Sequence, residues 1–171
     1  MKVAVNSGPL MALAKLSLIH LLVRLYDSAL VPSAVYDEVV TRGIELAQAD
    51  AYAVQLAVMR EELKIVQVPA RMGEEVETLP LGAGEKQAIH VALTEAVDYV
   101  LLDDLLAREA AQRLGLRVTG TLGVLAKASR EGFLNRQERD LVFQAILDRE
   151  DIWISQALVR RVWDELRRDE Q

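Results

Sequence analysis

Residues 1–10 read MKVAVNSGPL. Val3, Ala4 and Val5 form an apolar run too short for a helix and without polar alternation, the mark of a strand buried on both faces. The run stops at Asn6-Ser7-Gly8-Pro9. Ser7 or Gly8 can cap a helix there, with Pro9 in the first turn, where its missing N–H costs nothing. The next apolar residues, Leu10, Leu13, Ala14, Leu18, Leu21, Leu22 and Leu25, recur at helical intervals. Ser17 marks a break between two helices. A buried strand running straight into a helix begins an α/β fold. An asparagine stands where the strand ends, a place where parallel-sheet enzymes put carboxylates; the amide has the same shape and no charge.

The same alternation continues along the chain. Ser28 to Val31 reads as a strand, and Pro32 starts a helix, PSAVYDEVVTRG, closed by Gly43. A longer helix is expected from about Ile44 to Leu63, then a strand from Lys64 to Val68. Ala70 to Pro80 is polar, a loop or partly helical. LGAGEKQAIHVALTEA is a helix with a glycine-rich start. Tyr99 to Leu102 is a strand ending at Asp103-Asp104. LLAREAAQRLG is a helix stopped by Gly115. Leu116 to Thr119 is a last strand, and Gly120-Thr121 begins the helix LGVLAKASREG. Two further helices run from Arg136 to Arg149 and from Ser155 to Arg168. Short apolar strands alternating with helices predict a parallel sheet covered on both faces. The expected architecture is a three-layer α/β/α sandwich, one domain over 1–171, with a helical C-terminal end from about residue 136.

Composition narrows the chemistry. With 171 residues, 51% hydrophobic and 27% charged, the chain can bury an ordinary core without staples. Cysteine is absent, which excludes disulfides, thiolate metal sites and Cys nucleophiles and suits a reducing cytoplasm. Two histidines, His20 and His90, are too few for a His-rich metal site. A metal site would be built from carboxylates, favouring Mg2+ or Mn2+ over Zn2+. The net charge of −6 does not advertise a broad nucleic-acid-binding surface. The most apolar stretch, LMALAKLSLIHLLVRLY, is interrupted by Lys15, His20 and Arg24, so no membrane span and no signal peptide is expected. A cytoplasmic protein is expected.

In an open parallel sheet, ligands bind beyond the carboxyl ends of the strands. The residues there are Asn6, Asp103, Asp104, Gly120 and Thr121. Glu85 lies four before Ile89 and seven before Ala92, on the apolar stripe of its helix. A carboxylate there is costly unless paired, or it is a first-turn acid favoured by the helix dipole. Glu38, three after Val35, flanks the apolar side of its helix; alone it reads as a solvated acid. Asp103-Asp104 can be an N-cap and a first-turn acid, but both lie on the side of Ala107, Ala110, Ala111 and Leu114, which aims them at the sheet. His90 reads as a packed residue. GAGE and GTLG lack the full phosphate-loop patterns, and no Ser-His-Asp set falls at strand ends. Clustered carboxylates repel unless a cation sits among them. Such a cluster can hold hard divalent ions that align a water and stabilise charge on a phosphodiester.

These residues resemble the PIN-domain proteins, specifically a prokaryotic subgroup of predicted nucleic-acid-binding proteins related to VapC-type toxins. The matching stretches are VAVNSGPLMALAKL, LVPSAVYDEVV, LGAGEKQAIHVAL, VLLDDLLAREAAQRLGLRVTGTLGVLAKA and the tail beginning NRQERDLV. The resemblance implies Mg2+- or Mn2+-dependent endoribonuclease chemistry. It implies a metal site at Asn6, Glu38, Glu85 and Asp103 or Asp104, with the four acids also catalytic and Ser7 and Thr121 in supporting positions. It further implies a toxin that dimerises and is held by a small antitoxin protein. The departure is Asn6, a weaker ligand than the family's acid. A catalytically weak or inactive module that binds RNA or protein is the alternative it raises. A phosphoacceptor receiver domain would place its acid pair near the first strand, whereas this pair follows a late one. For single-stranded or structured RNA, the candidate phosphate contacts are Arg108, Arg113, Arg117, Lys127 and Arg130, all of which can equally be ordinary surface charge. Leu158, Val159, Val162, Trp163 and Leu166 share one stripe of the last helix. That stripe covers the core or forms a dimer or antitoxin surface; core packing is the commoner use.

Overall fold

The computed structural model describes residues 1–169; Glu170 and Gln171, the last two positions of the expected domain, lie outside the described residues. Five strands, β1 (Lys2–Val5), β2 (Ser28–Pro32), β3 (Lys64–Val66), β4 (Tyr99–Leu101) and β5 (Val118–Thr119), form one sheet. Its order is β3-β2-β1-β4-β5, and every pairing is parallel. Parallel neighbours need crossovers, and helices supply them. α1 (Ser7–Lys15) and α2 (His20–Leu25) join β1 to β2. α3 (Ser33–Tyr36), a π-helical turn (Asp37–Thr41), α4 (Arg42–Glu45) and α5 (Ala49–Met59) lead to β3. α6 (Glu74–Glu77) and α7 (Ala83–Thr94) lead to β4, and α8 (Leu105–Arg113) to β5. α9 (Thr121–Arg130), α10 (Arg136–Asp148) and α11 (Gln156–Arg168) follow.

Side chains alternate across a strand, so each strand feeds both faces. Val3, Val5, Ala29, Val31 and Leu101 pack on one side with Leu10, Leu13, Val54, Leu125, Phe143 and Val159. Ala4, Leu30, Val100 and Leu102 pack on the other with Ile89, Ala92, Ala107 and Ala111. This is the expected three-layer α/β/α sandwich. Among the described residues no helix is long and apolar enough to cross a membrane.

Several local expectations need correction. The helix expected from Ile44 to Leu63 is two. Ala47 takes a left-handed conformation (φ 54°), with Ala47 N–H donating to Ile44 O and Gln48 N–H to Gly43 O, each at 2.9 Å. That is the Schellman way to end a helix. Gly43 is not a stop: it lies inside α4, where an added Cβ would come 2.6 Å from the Cβ of Ala51. Its bare backbone lets α4 and α5 approach. The cap of α1 is Asn6, one residue before the expected Ser7 or Gly8. β3, β4 and β5 are each shorter than the apolar runs that announced them. In α11, Val159 and Leu166 are buried and Val162 and Trp163 pack against the core, while Leu158 is exposed.

Candidate active site

The chain winds from β1 through β2 to β3 on one side and then crosses back from β3 to β4 on the other side of β1, so a crevice opens at the carboxyl ends of β1 and β4. Val5 pairs with Leu101, and the Asn6 N–H donates to Leu101 O at 3.2 Å. Asn6 and the Asp103-Asp104 pair therefore leave the sheet side by side. A cavity of about 840 Å³ lies there, and Asn6, Ser7, Glu38, Glu85, Asp103 and Asp104 all line it. Residues from four separate segments of sequence meet in one place.

Asn6 is buried at 6% exposure, and its side-chain oxygen Oδ1 has no hydrogen-bond partner. A buried acceptor without a partner costs roughly 1–3 kcal/mol and asks for an explanation. Its surroundings offer one. A Cβ added to Gly84 would meet Glu38 Oε2 at 3.1 Å, Asn6 Oδ1 at 3.3 Å and Ser7 Oγ at 3.4 Å. The glycine leaves a hollow lined by three oxygens. Ser7 Oγ donates to Glu38 Oε2 at 2.6 Å, fixing that carboxylate. Glu38 itself lies in the π-helical turn, whose wider winding re-aims side chains and recurs at functional sites.

Across the cavity each acid has a second task. Asp103 accepts from the Thr121 N–H at Oδ1 (2.8 Å) and from Thr121 Oγ1 at Oδ2 (2.6 Å). A Cβ on Gly120 would come 2.6 Å from Asp103 Oδ1, so only glycine leaves room for this carboxylate. Burial pushes the Asp103 carboxyl above its ordinary pKa, against the opposing pull of the Thr121 bonds and the nearby Arg108 charge. Asp104 caps α8, accepting from the Ala107 N–H at 2.9 Å. Glu85 Oε2 accepts from the Gly82 N–H at 3.0 Å at the start of α7. Asp104 is thus an N-cap and Glu85 a first-turn acid, and both also line the cavity.

The donor set is oxygen only, an amide plus carboxylates, which suits a hard divalent cation. The unpartnered Asn6 oxygen and the hollow over Gly84 fit one. The acids are not drawn to a common point: among the described residues no three His, Cys, Asp or Glu side chains are grouped so as to hold a metal ion. Helix capping holds Glu85 and Asp104, and Thr121 holds Asp103.

Asp37, Arg42 and Trp153 also line this cavity and were not singled out from sequence. Arg42 lies four after Glu38, a spacing that could have flagged it. Trp153 carried no local signal. The five candidate phosphate contacts do not line this cavity. Arg108 donates to Leu102 O at 2.8 Å and lines the neighbouring one. Arg113 pairs with Glu109, Lys127 with Glu131 and Arg130 with Asp169, while Arg117 stacks on the Tyr99 ring.

A sequence profile described as DUF3368, PIN domain, matches residues 2–168. No curated protein matches the chain. Among solved structures, a domain of a functionally unknown protein from Methanocaldococcus jannaschii is similar at 18% identity, covering 70% of this chain and 89% of that one with a TM-score of 0.47.

Proposed function

The chain belongs to the PIN domain family, a nuclease-type fold whose members generally use a divalent metal, and from that premise we propose that it is a metal-dependent ribonuclease and the toxin of a toxin–antitoxin pair. The observation that supports the reading is the cavity at the ends of β1 and β4, which Asn6, Glu38, Glu85, Asp103 and Asp104 line together. Asn6 Oδ1 and Glu38, steadied by Ser7, would hold Mg2+ or Mn2+ over Gly84, with Glu85, Asp103 and Asp104 across from them. An ion held by these residues would supply Lewis-acid chemistry, activating a water and offsetting charge on the phosphodiester. The chain's own part is positional. Thr121 fixes the Asp103 carboxylate, and Ser7 fixes that of Glu38.

Incubation of the purified protein with single-stranded RNA and Mn2+ tests this. Glu38→Gln and Glu85→Gln are expected to lose cleavage by more than tenfold. Asp104→Asn should lose it too while keeping its helix cap, since Asn caps as well as Asp. Cleavage indifferent to all three substitutions would point to a contaminating nuclease and end the reading.

Two observations favour a second reading. Asn6 brings no charge, and the acids are not gathered about one point. A PIN-like module that binds RNA or protein without cutting fits those two facts. Calorimetry separates the two: tight stoichiometric Mn2+ binding with robust cleavage removes the second reading, and activity that arises only in Asn6→Asp supports it.

A further inference from the structure

Trp153 is 92% exposed. A tryptophan that open is unusual, because its large apolar face gains from burial. It is not a loose side chain. It lies in the short segment between α10 and α11, and that segment is tied down. Arg149 donates through Nε and Nη2 to the two oxygens of Asp151, both at 2.8 Å, and Lys15 of α1 donates to Asp151 O at 2.8 Å. Trp153 Nε1 donates to Glu150 O at 3.1 Å, and Ile152 next to it is buried in the core. The ring is left exposed by a segment whose residues on either side, Ile152 and Ile154, pack against the core.

Its position is as informative as its exposure. Trp153 lines the acidic cavity, and it also lines a second cavity of about 570 Å³ that shares Asp103 and Leu105 with the first. That second cavity contains Arg108 and Arg161, with Leu105 and Leu158 on its walls. Arg161 is exposed and makes no ion pair among the described residues. The sequence runs from an acid-lined hollow, across an exposed aromatic face, to a cavity bearing guanidinium groups. An acidic peptide would meet Arg161 as well but brings no flat group to the ring at each repeat. A flexible polyanion with a flat base at every repeat matches all three parts, provided the carboxylates are neutralised by cation. Aromatic faces with flanking positive charge are how single-stranded nucleic acids are held without sequence preference.

We propose that Trp153 is a stacking platform for one base of a single-stranded RNA, the nucleotide adjacent to the one in the acidic cavity, with its phosphate received by Arg161. This rests on the nuclease reading for the identity of the acidic cavity, but not for the binding itself. The platform accepts unpaired strands and rejects duplex, whose bases are already stacked. It also sets the direction in which the strand leaves the acidic cavity, toward the N-terminal half of α11.

The test is fluorescence anisotropy with a short fluorescein-labelled single-stranded RNA of mixed sequence, in Ca2+, together with cleavage assays in Mn2+. Trp153→Ala is expected to weaken binding by about tenfold, in the range for loss of one stacked base, while Trp153→Phe keeps most of the affinity. Arg161→Ala is expected to weaken binding and flatten its salt dependence. The blunt end of a duplex of the same sequence should compete poorly. Both side chains are exposed, so folding is not at risk, and unchanged circular dichroism verifies it. If wild type binds no RNA, or if Trp153→Ala binds as well as wild type, the platform is overturned, whatever the cleavage result. If Trp153→Ala leaves RNA binding intact and instead abolishes capture of a co-expressed protein partner, the surface is a protein-docking site and the proposal is again overturned. Tryptophan-dependent binding without cleavage supports the platform and sinks the nuclease reading alone.

Discussion

Asn6 shows how one atom type separates fold from chemistry. It stands at the cap position of α1 without making a side-chain cap bond, and it carries no charge into a pocket where its oxygen has no partner. Asn6→Asp would put a buried charge in that place. Without metal, the expected result is a loss of a few kcal/mol, or roughly 5–10 °C in Tm for a chain of this size. Mn2+ should restore more Tm to Asn6→Asp than it adds to wild type, as scanning calorimetry with and without EDTA would read. Asp103 behaves in the opposite sense. Its pKa is raised in the fold, so the folded state holds that proton more tightly than the unfolded chain does. Its ionisation therefore lowers stability as pH rises from the ordinary Asp range through the raised value. Asp103→Asn removes that loss. In EDTA the variant should match wild type in acid and exceed its Tm above the raised value, whereas in Mn2+ it should lose cleavage. Such a gain in stability with a loss of activity is what a functional site shows. Asp103, Asp104 and Glu85 were legible in sequence because a strand end and the stripe of α7 single them out, whereas Glu38, which alone reads as a solvated acid, came only from the family resemblance. Their second tasks as caps were weighed from sequence too, but the two uses could not be seen to coexist in one side chain.

Helix boundaries were legible where glycine ends a helix and only in part where another residue does. Gly115, with φ 79°, stops α8 as its sequence position announces. Ser17, Ala47, Glu61 and Ala96 take the same left-handed conformation without being glycine; the break at Ser17 and the helix end at Ala96 were expected, those at Ala47 and Glu61 were not. Alanine in that conformation costs about 1–2 kcal/mol. Ala47→Gly is accordingly expected to raise stability by up to about 1 kcal/mol, net of the extra freedom glycine gives the unfolded chain. Gly43, four residues earlier, is the reverse. Gly43→Ala forces a methyl against Ala51 and should cost roughly 1–3 kcal/mol by overpacking. Urea melts of the two variants would move in opposite directions; a shared direction would contradict the assignment of Gly43 to packing and Ala47 to termination. The π-helical turn at Asp37–Thr41 was not legible at all, because VYDEVVT satisfies a regular helical spacing equally well. It matters because Glu38 lies within it.

At the scale of the molecule, alternating strands and helices were enough to foresee a parallel sheet with two covered faces, since the physics of burying both faces leaves few arrangements. The strand order was not foreseen, because nothing in a local pattern says that β4 returns to pair with β1. That return is what brings Asn6 beside Asp103. The C-terminal end is the other point on which sequence left two uses open. α11 contributes Val159, at 0% exposure, and Leu166 to the same cluster as Val3 and Val5 of β1. The helix is therefore part of the core that supports the first strand, and its loss would unsettle the position of Asn6. Val159→Asp buries an unpaired charge, which costs several kcal/mol against a total of about 5–15 kcal/mol for a typical domain. It is expected to abolish the cooperative melt or to lower Tm by well over 10 °C. Leu158→Asp, on the neighbouring exposed position at 37%, should melt within a few degrees of wild type. If α11 were instead an interface between two folded chains, Val159→Asp would give a well-folded monomer with a sharp melt. Sizing chromatography and near-ultraviolet circular dichroism on the same sample distinguish that outcome from a chain that has lost its core.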